Sequence, residues 1–183
     1  MLIRVGIGQD VHVLTDGRPL VLGGVAIDHP RGLLGHSDAD VLTHAVIDAL
    51  LGAAALGTIG EHFPDTDPRY KDVSSLELLA AAGGMVGAAG WQVVNVDSVI
   101  TAQAPRLREH LAAMAGTLAQ RLGLEQGRIS VKATSPEGAG SLGRAEAIAA
   151  SAVALLQRSE KAGDVPSSPT TPTLPREGGR SRT

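Results

Sequence analysis

The sequence predicts an α/β (α+β) fold: a single domain with helices packed on one face of a mixed β-sheet. Three observations carry this. Short β-rich runs alternate with helix-like segments, the pattern of layered α and β elements. The chain has 183 residues and 43% hydrophobic content, enough to bury one real core. It has one Phe, one Trp and one Tyr, so that core must be built from Ala, Val, Leu and Ile, whose small side chains favour close contacts.

Residues 2–8 form a β-rich run, and residues 19–27 read as a second strand interrupted by Gly23 and Gly24. Residues 37–51 are the clearest helix: Ser37 can cap it, Asp40 can complete a capping box, and Val41, Leu42, Ala45, Leu50 and Leu51 supply apolar positions. Residues 61–71 are a polar loop stiffened by Pro64 and Pro68. A helix follows Ser74, weakened by Gly83 and Gly84. Residues 91–101 read as a long strand, Pro105 suits the first turn of a helix reaching about Leu122, and residues 129–133 form another strand. A last helix is expected over 144–158. The domain therefore spans 1–158, and 159–183 reads as a disordered tail rich in Pro, Ser and Thr, with too little apolar surface to offset ordering entropy.

A net charge of −3 and the lack of any Lys/Arg stripe give no field to attract nucleic acid or an anionic membrane. With no cysteine there is neither a disulfide framework nor a thiolate metal site, so any metal must rest on His and carboxylates. Charged residues appear too early for a secretory signal, and no apolar run is long enough to span a bilayer. A soluble, cytoplasmic protein is expected.

Asp10 and His12 are two residues apart, so on a continuing strand both side chains project to the same side. That spacing suits two metal ligands, or simply a strand end with a polar turn. His44 supplies a third candidate from the helix, with Asp48 four residues on and within reach of its imidazole, either as a carboxylate behind a ligand or as a surface ion pair. Asp10, His12 and His44 would make a three-ligand site that leaves a fourth position open, which favours catalytic over structural zinc. Gly35, His36 and Ser37 precede the same helix, where free N–H groups would favour a phosphate. Asp65 and Asp67 in their Pro-framed loop are acceptors suited to polyol hydroxyls, or an acidic turn in solvent. Thr134, Ser135 and Glu137 leave a strand with two hydroxyls and a carboxylate, a place to meet a diphosphate and a hard cation such as Mg2+.

Taken in order, Asp10-Val11-His12, Gly32 to Asp38, His44, Asp48 to Ala53, Phe63-Pro64-Asp65-Thr66-Asp67-Pro68, Ala102-Gln103-Ala104-Pro105 and Lys132-Ala133-Thr134 resemble the 2-C-methyl-D-erythritol 2,4-cyclodiphosphate synthase family over nearly all of residues 2–156. The resemblance implies a homotrimer with active sites between subunits. It implies zinc on Asp10, His12 and His44, and transition-state stabilisation by His36 and Ser135. On the zinc side, substrate contacts would come from Asp10, His12, His36, Ser37, Thr58, Gly60, Phe63, Asp65 and Asp67. The neighbour would contribute the cytidine and diphosphate side through Ala102, Ala104, Pro105, Arg106, Leu107, Arg108, Thr134, Ser135 and Glu137, and Arg144 would be a further substrate contact. Glu137 would also hold Mg2+ or Mn2+ on the diphosphate.

The implied reaction converts 4-diphosphocytidyl-2-C-methyl-D-erythritol 2-phosphate to the cyclic diphosphate with release of CMP, in non-mevalonate isoprenoid synthesis. Its nucleophile is a phosphate oxygen of the substrate, so no activated side chain is required. Three departures from the family pattern stand out: Thr58 where Asp is usual, Ser141 where Phe is commoner, and Ser135-Pro136 in place of a Thr pair. Thr58 predicts reduced ribose affinity. A zinc-dependent phosphohydrolase and a catalytically weakened trimeric binding protein are the competing readings.

Overall fold

A computed structural model describes residues 2–159. Seven strands and five helices follow one another as β1 (Ile3–Asp16), β2 (Leu20–Leu22), β3 (Val25–Ile27), β4 (Arg31–Leu33), α1 (Val41–Ala54), α2 (Ile59–His62), α3 (Ser75–Ala88), β5 (Trp91–Thr101), α4 (Leu111–Leu122), β6 (Ile129–Thr134), α5 (Gly140–Gly143) and β7 (Ala147–Arg158). The main sheet has the order β4-β1-β7-β5-β6. Only β5 and β6 run parallel; the other pairs are antiparallel. The expected mixed sheet with helices is thus present, and the strand of residues 91–101 falls where the sequence places it.

The largest departure is the C-terminal segment. Residues 144–158, expected as a helix, form a short turn after α5 and then the central strand β7, bonded to β1 on one side and β5 on the other. Its alanines look helical by propensity, but Ala150, Ala152, Ala154 and Leu156 are buried at every second position, the period of a strand. Two full ladders of backbone hydrogen bonds outweigh the modest helix preference of Ala.

Helix α1 begins at Val41 rather than Ser37, because Asp40 is its N-cap and accepts the Thr43 N–H at 3.0 Å. Ser37 Oγ is used locally, accepting the Ala39 N–H. Asp40 is fully buried and also accepts the Gly23 and Gly24 N–H groups and the Thr43 hydroxyl. Burial pushes this carboxyl up, and its four hydrogen bonds oppose that shift. Gly23 and Gly24 have φ of 57° and 73°, so the interrupted strand of residues 19–27 is a tight hairpin whose turn is tied to the start of α1.

The loop of residues 61–71 contains a 3-10 turn at Pro68–Tyr70. Helix α4 starts six residues later than Pro105 predicts, since the chain first turns to bury Leu107 in the core. The expected tail lies outside the described residues except for Ser159, whose N–H donates to Gly90 O.

Helix α1 lies directly on β1 and β7. A β-carbon at Gly6 would sit 2.5 Å from the Ala53 nitrogen, and one at Gly8 2.5 Å from the Ala49 nitrogen. Ala45, Ala49 and Ala53 are the helix residues in this seat, so backbone rests on backbone. Among the described residues, none covers the hydrophobic side chains on the opposite face of β1. Val5, Ile7, Val11 and Val13 on β1 are 56–66% exposed, and Val153 on β7 is exposed beside them.

Candidate active site and metal centre

The seat of α1 on β1 brings together residues far apart in sequence. Asp10 and His12 alternate with the exposed Val11 and Val13, so both point to the helix side, where His44 leaves the first turns of α1. Asp10 Oδ2 lies 2.9 Å from His12 Nε2 and 3.0 Å from His44 Nδ1. The two ring nitrogens are 3.2 Å apart. The three residues form a group able to hold a metal ion.

Their hydrogen bonds test whether the donor set fits. His12 Nδ1 lies 2.7 Å from Leu34 O, which can only accept, so in the neutral ring Nδ1 carries the proton and Nε2 presents its lone pair. Behind His44, Nε2 lies 2.8 Å from Ser75 Oγ. Ser75 in turn donates its hydroxyl hydrogen to Asp38 Oδ1, leaving its oxygen to accept from His44 Nε2. His44 Nδ1 is then also a lone pair. Two lone pairs and a carboxylate oxygen converge on one point, an arrangement that a cation relieves. Without a cation the crowding is relieved by protonation of the rings instead: burial works against ionisation of Asp10, yet hydrogen bonds and charge from protonated His12 and His44 outweigh it and hold the carboxyl far below its usual range. Burial also disfavours charge on His12, and the Asp10 contacts overcome it to raise that ring.

The triad lines a cleft of about 460 Å3, together with Gly35, His36, Ser37, Gly60, Phe63 and Asp65 of the predicted set. Asp48, Ile59, Pro64, Tyr70 and Leu78 complete the wall. Gly35 to Ser37 lie beside the triad but precede the helix by several residues, so the dipole of α1 is not what they offer an anion. His36 Nε2 hydrogen-bonds to Asp67 O at 3.3 Å. The Asp67 carboxylate is engaged by Arg69, whose hydrogen bonds hold it below the usual range, and only Asp65 of that acidic pair lines the cleft. Thr58 is exposed and does not line the cleft; its hydroxyl lies 3.4 Å from Glu61 Oε1.

Asp48, expected behind His44, accepts the Ile59 N–H at 2.7 Å and so secures the start of α2. The polar groups recorded at His44 Nε2 are Ser75 and Ser37. Ser75 was legible only as the start of a helix. Arg18, which donates to Gly35 O at 3.1 Å and Ser37 O at 2.5 Å and so pins the His36 loop, carries no local sequence pattern that marks it.

The remaining predicted residues gather elsewhere. Ala102, Pro105, Arg106, Leu107, Arg108, Thr134 and Ser135 line a second cleft of about 510 Å3 with Gln103, Leu111 and Ala133. Ala104 and Glu137 belong to the same two loops, which Gln103 joins by accepting the Gly138 N–H. Arg144 pairs with Glu146 at 2.7 Å. Within one chain the two clefts are separate but level. Asp10 pairs with Ala150, Ala150 with Ile100, and Ile100 with Ala133, so β1 and β6 carry their sites in one row across the sheet. Three strand spacings separate them, about 14 Å.

The YgbB family model matches residues 3–157. A 2-C-methyl-D-erythritol 2,4-cyclodiphosphate synthase from Syntrophomonas wolfei is 57% identical over 156 residues, 85% of this chain and 99% of the relative. Among solved structures, the bifunctional IspDF from Campylobacter jejuni is similar with a TM-score of 0.83 and 44% identity, covering 86% of this chain and 42% of that longer one. A 2C-methyl-D-erythritol-2,4-cyclodiphosphate synthase in a CDP-bound form has a TM-score of 0.77 and 40% identity, covering 84% of this chain and 100% of that chain.

Proposed function

This chain belongs to the YgbB family, and from that premise we propose that it converts 4-diphosphocytidyl-2-C-methyl-D-erythritol 2-phosphate to 2-C-methyl-D-erythritol 2,4-cyclodiphosphate and CMP. The observation that carries the reading is the convergence of Asp10, His12 and His44 at the cleft shared with His36, Ser37 and Asp65. An oxygen of the 2-phosphate forms a bond to the β-phosphorus. The bond from that phosphorus to the bridging oxygen breaks, and the oxygen leaves on CMP. No side chain need act as nucleophile or base, because the attacking oxygen is already anionic. The work of the protein is to fold the substrate and offset its charge.

Zinc is the ion this site suits. Tetrahedral bonds of about 2.0–2.1 Å place ligand atoms roughly 3.3 Å apart, close to the spacings of 2.9, 3.0 and 3.2 Å among the three donors. When bound, zinc supplies a Lewis acid that orients and polarises a phosphoryl oxygen. Asp10, His12 and His44 hold it, His36 and Ser37 meet the adjacent phosphate, and Gly60, Phe63 and Asp65 bound the erythritol.

The cytidine and diphosphate are assigned to Ala102, Ala104, Pro105, Arg106, Leu107, Arg108, Thr134 and Ser135, with Glu137 holding Mg2+ or Mn2+. Ser135 and His36 stabilise the transition state, and Arg144 and Asp67 remain as further contacts. Since the two clefts occupy opposite ends of one row, a complete site needs the β6 side of one chain against the β1 side of another. Repeated head to tail, that contact closes a ring. The apolar face of β1 and β7 supports burial against neighbours, and the ring proposed is a homotrimer. Among the described residues no helix is long and apolar enough to cross a membrane, and we assign the enzyme to the cytoplasm.

The test is turnover by the purified chain with Zn2+ and Mg2+, followed by phosphorus NMR. CMP and a cyclic diphosphate should appear together, whereas a linear phosphate product would overturn the reading in favour of hydrolysis. Thr58→Asp should lower KM for the cytidine substrate with kcat nearly unchanged. The neighbouring Glu61 carboxylate holds the gain to the lower end of a charge-assisted hydrogen bond, about 1.5 kcal/mol or tenfold.

A further inference from the structure

We propose that Ser75 and Asp38 are a positioning pair for His44: together they fix its tautomer and ring orientation, and thereby the affinity of the metal site. The inference rests on the metal-site reading above and goes beyond it, because neither residue touches the metal position.

Ser75, the first residue of α3, is fully buried, and its oxygen lies 2.8 Å from His44 Nε2. Asp38 grips Ser75 twice, Oδ1 taking the hydroxyl hydrogen and Oδ2 the backbone N–H at 2.9 Å. A serine oxygen whose hydrogen is committed to a carboxylate has only lone pairs left for an imidazole, so His44 must donate there from Nε2. Its Nδ1 is then left free toward Asp10 and His12. Asp38 is itself fixed, its N–H donating to Val73 O at 3.1 Å, while Asp72 N–H donates to His36 O at 2.8 Å. Two backbone bonds thus stitch the His36 loop to the entry of α3. The second oxygen near Nε2, that of Ser37 at 3.2 Å, is more distant and accepts the Ala39 N–H. Asp48 Oδ1 accepts the Ile59 N–H, and the groups bonded to His44 Nε2 are the two serines.

Groups that hold the far nitrogen of a ligating His commonly change metal affinity by about 10 to 100-fold when removed. The experiment is zinc titration of metal-free protein against a chromophoric chelator, for the unaltered chain, Ser75→Ala, Asp38→Asn, the double variant and Asp48→Asn. Nitrogen-15 NMR of the His44 ring in the metal-free state reports the tautomer. Ser75→Ala should weaken zinc by 10 to 100-fold and give a mixed tautomer. Asp38→Asn should weaken it too, yet add little once Ser75 is already Ala. Asp48→Asn should leave affinity within about twofold. Should Ser75→Ala fail to fold, the tautomer in the volume-conserving Asp38→Asn carries the test. Unchanged affinity and an unchanged Nε2–H tautomer in the folded variants would overturn the pair. An unaltered chain that binds no zinc would overturn the metal-site reading and the pair with it.

Discussion

The two ends of the row that crosses the sheet are built on opposite principles. At the β1 end, the His44 side chain is 12% exposed, Ser75 and Asp40 are fully buried, and His44, Ser75 and Asp40 are each bonded within the chain. At the β6 end, Thr134, Ser135 and Glu137 are exposed, and the Asp97–Lys132 ion pair lies in the open. A site that must grip a small ion needs rigid geometry, which a single chain can supply through its own core. Under the proposed function the β6 end is the open half that would admit a nucleotide and be completed by another chain.

The strongest break comes from His44→Ala. Two remaining ligands do not hold a tetrahedral ion tightly, so metal content after dialysis should fall to background and turnover below detection. Circular dichroism should be unchanged. Next, Ile7→Glu puts a charge on the bare sheet face; burying it unpaired in an interface costs about 3–5 kcal/mol. Light scattering should report a smaller assembly and turnover should collapse, while each chain keeps its zinc because the β1 end is complete alone. Loss of zinc there would erase the contrast.

Asp40→Asn sharpens it on the side of stability. Its amide would turn N–H groups toward one of the donors it now accepts from, at about 1–3 kcal/mol for the group left unsatisfied. The urea midpoint should drop with an unchanged slope. The smallest effect is expected at Asp97, whose carboxyl is held below its usual range by the Lys132 hydrogen bond. A depressed carboxyl stabilises the fold above its unfolded value and loses that contribution as pH falls through its folded one. The difference between the protein and Asp97→Asn should therefore be under about 1 kcal/mol at neutral pH, and should vanish with acid or salt.

What was legible in the sequence follows the range of the interactions. Asp10 and His12 share a strand and His44 follows a motif, so their chemistry could be read from spacing. The mixed sheet and the strand Trp91–Thr101 were legible because β-rich composition and sheet environment agree there. The strand Ala147–Arg158 was not, since an alanine-rich segment carries a local helix signal that only pairing with β1 and β5 overrides. Ser75 lies 31 residues from His44 and 37 from Asp38. No local pattern announces a bond over that distance, and the carboxylate four residues along the helix was the nearer candidate.

The seat of α1 at Gly6 and Gly8 has a consequence for how such a protein can evolve. The segments that carry the proposed ligands, β1 and α1, are separated there by peptide groups and the small Ala53 methyl, so little side chain stands in the gap to widen or narrow it. Substitutions elsewhere in the core can resize the layer under α3 and α4 and alter melting behaviour without acting on the spacing of Asp10, His12 and His44 through this seat. Stability and catalysis can therefore drift along separate lineages of mutation, and the lack of any side chain at two positions is what keeps those lineages apart.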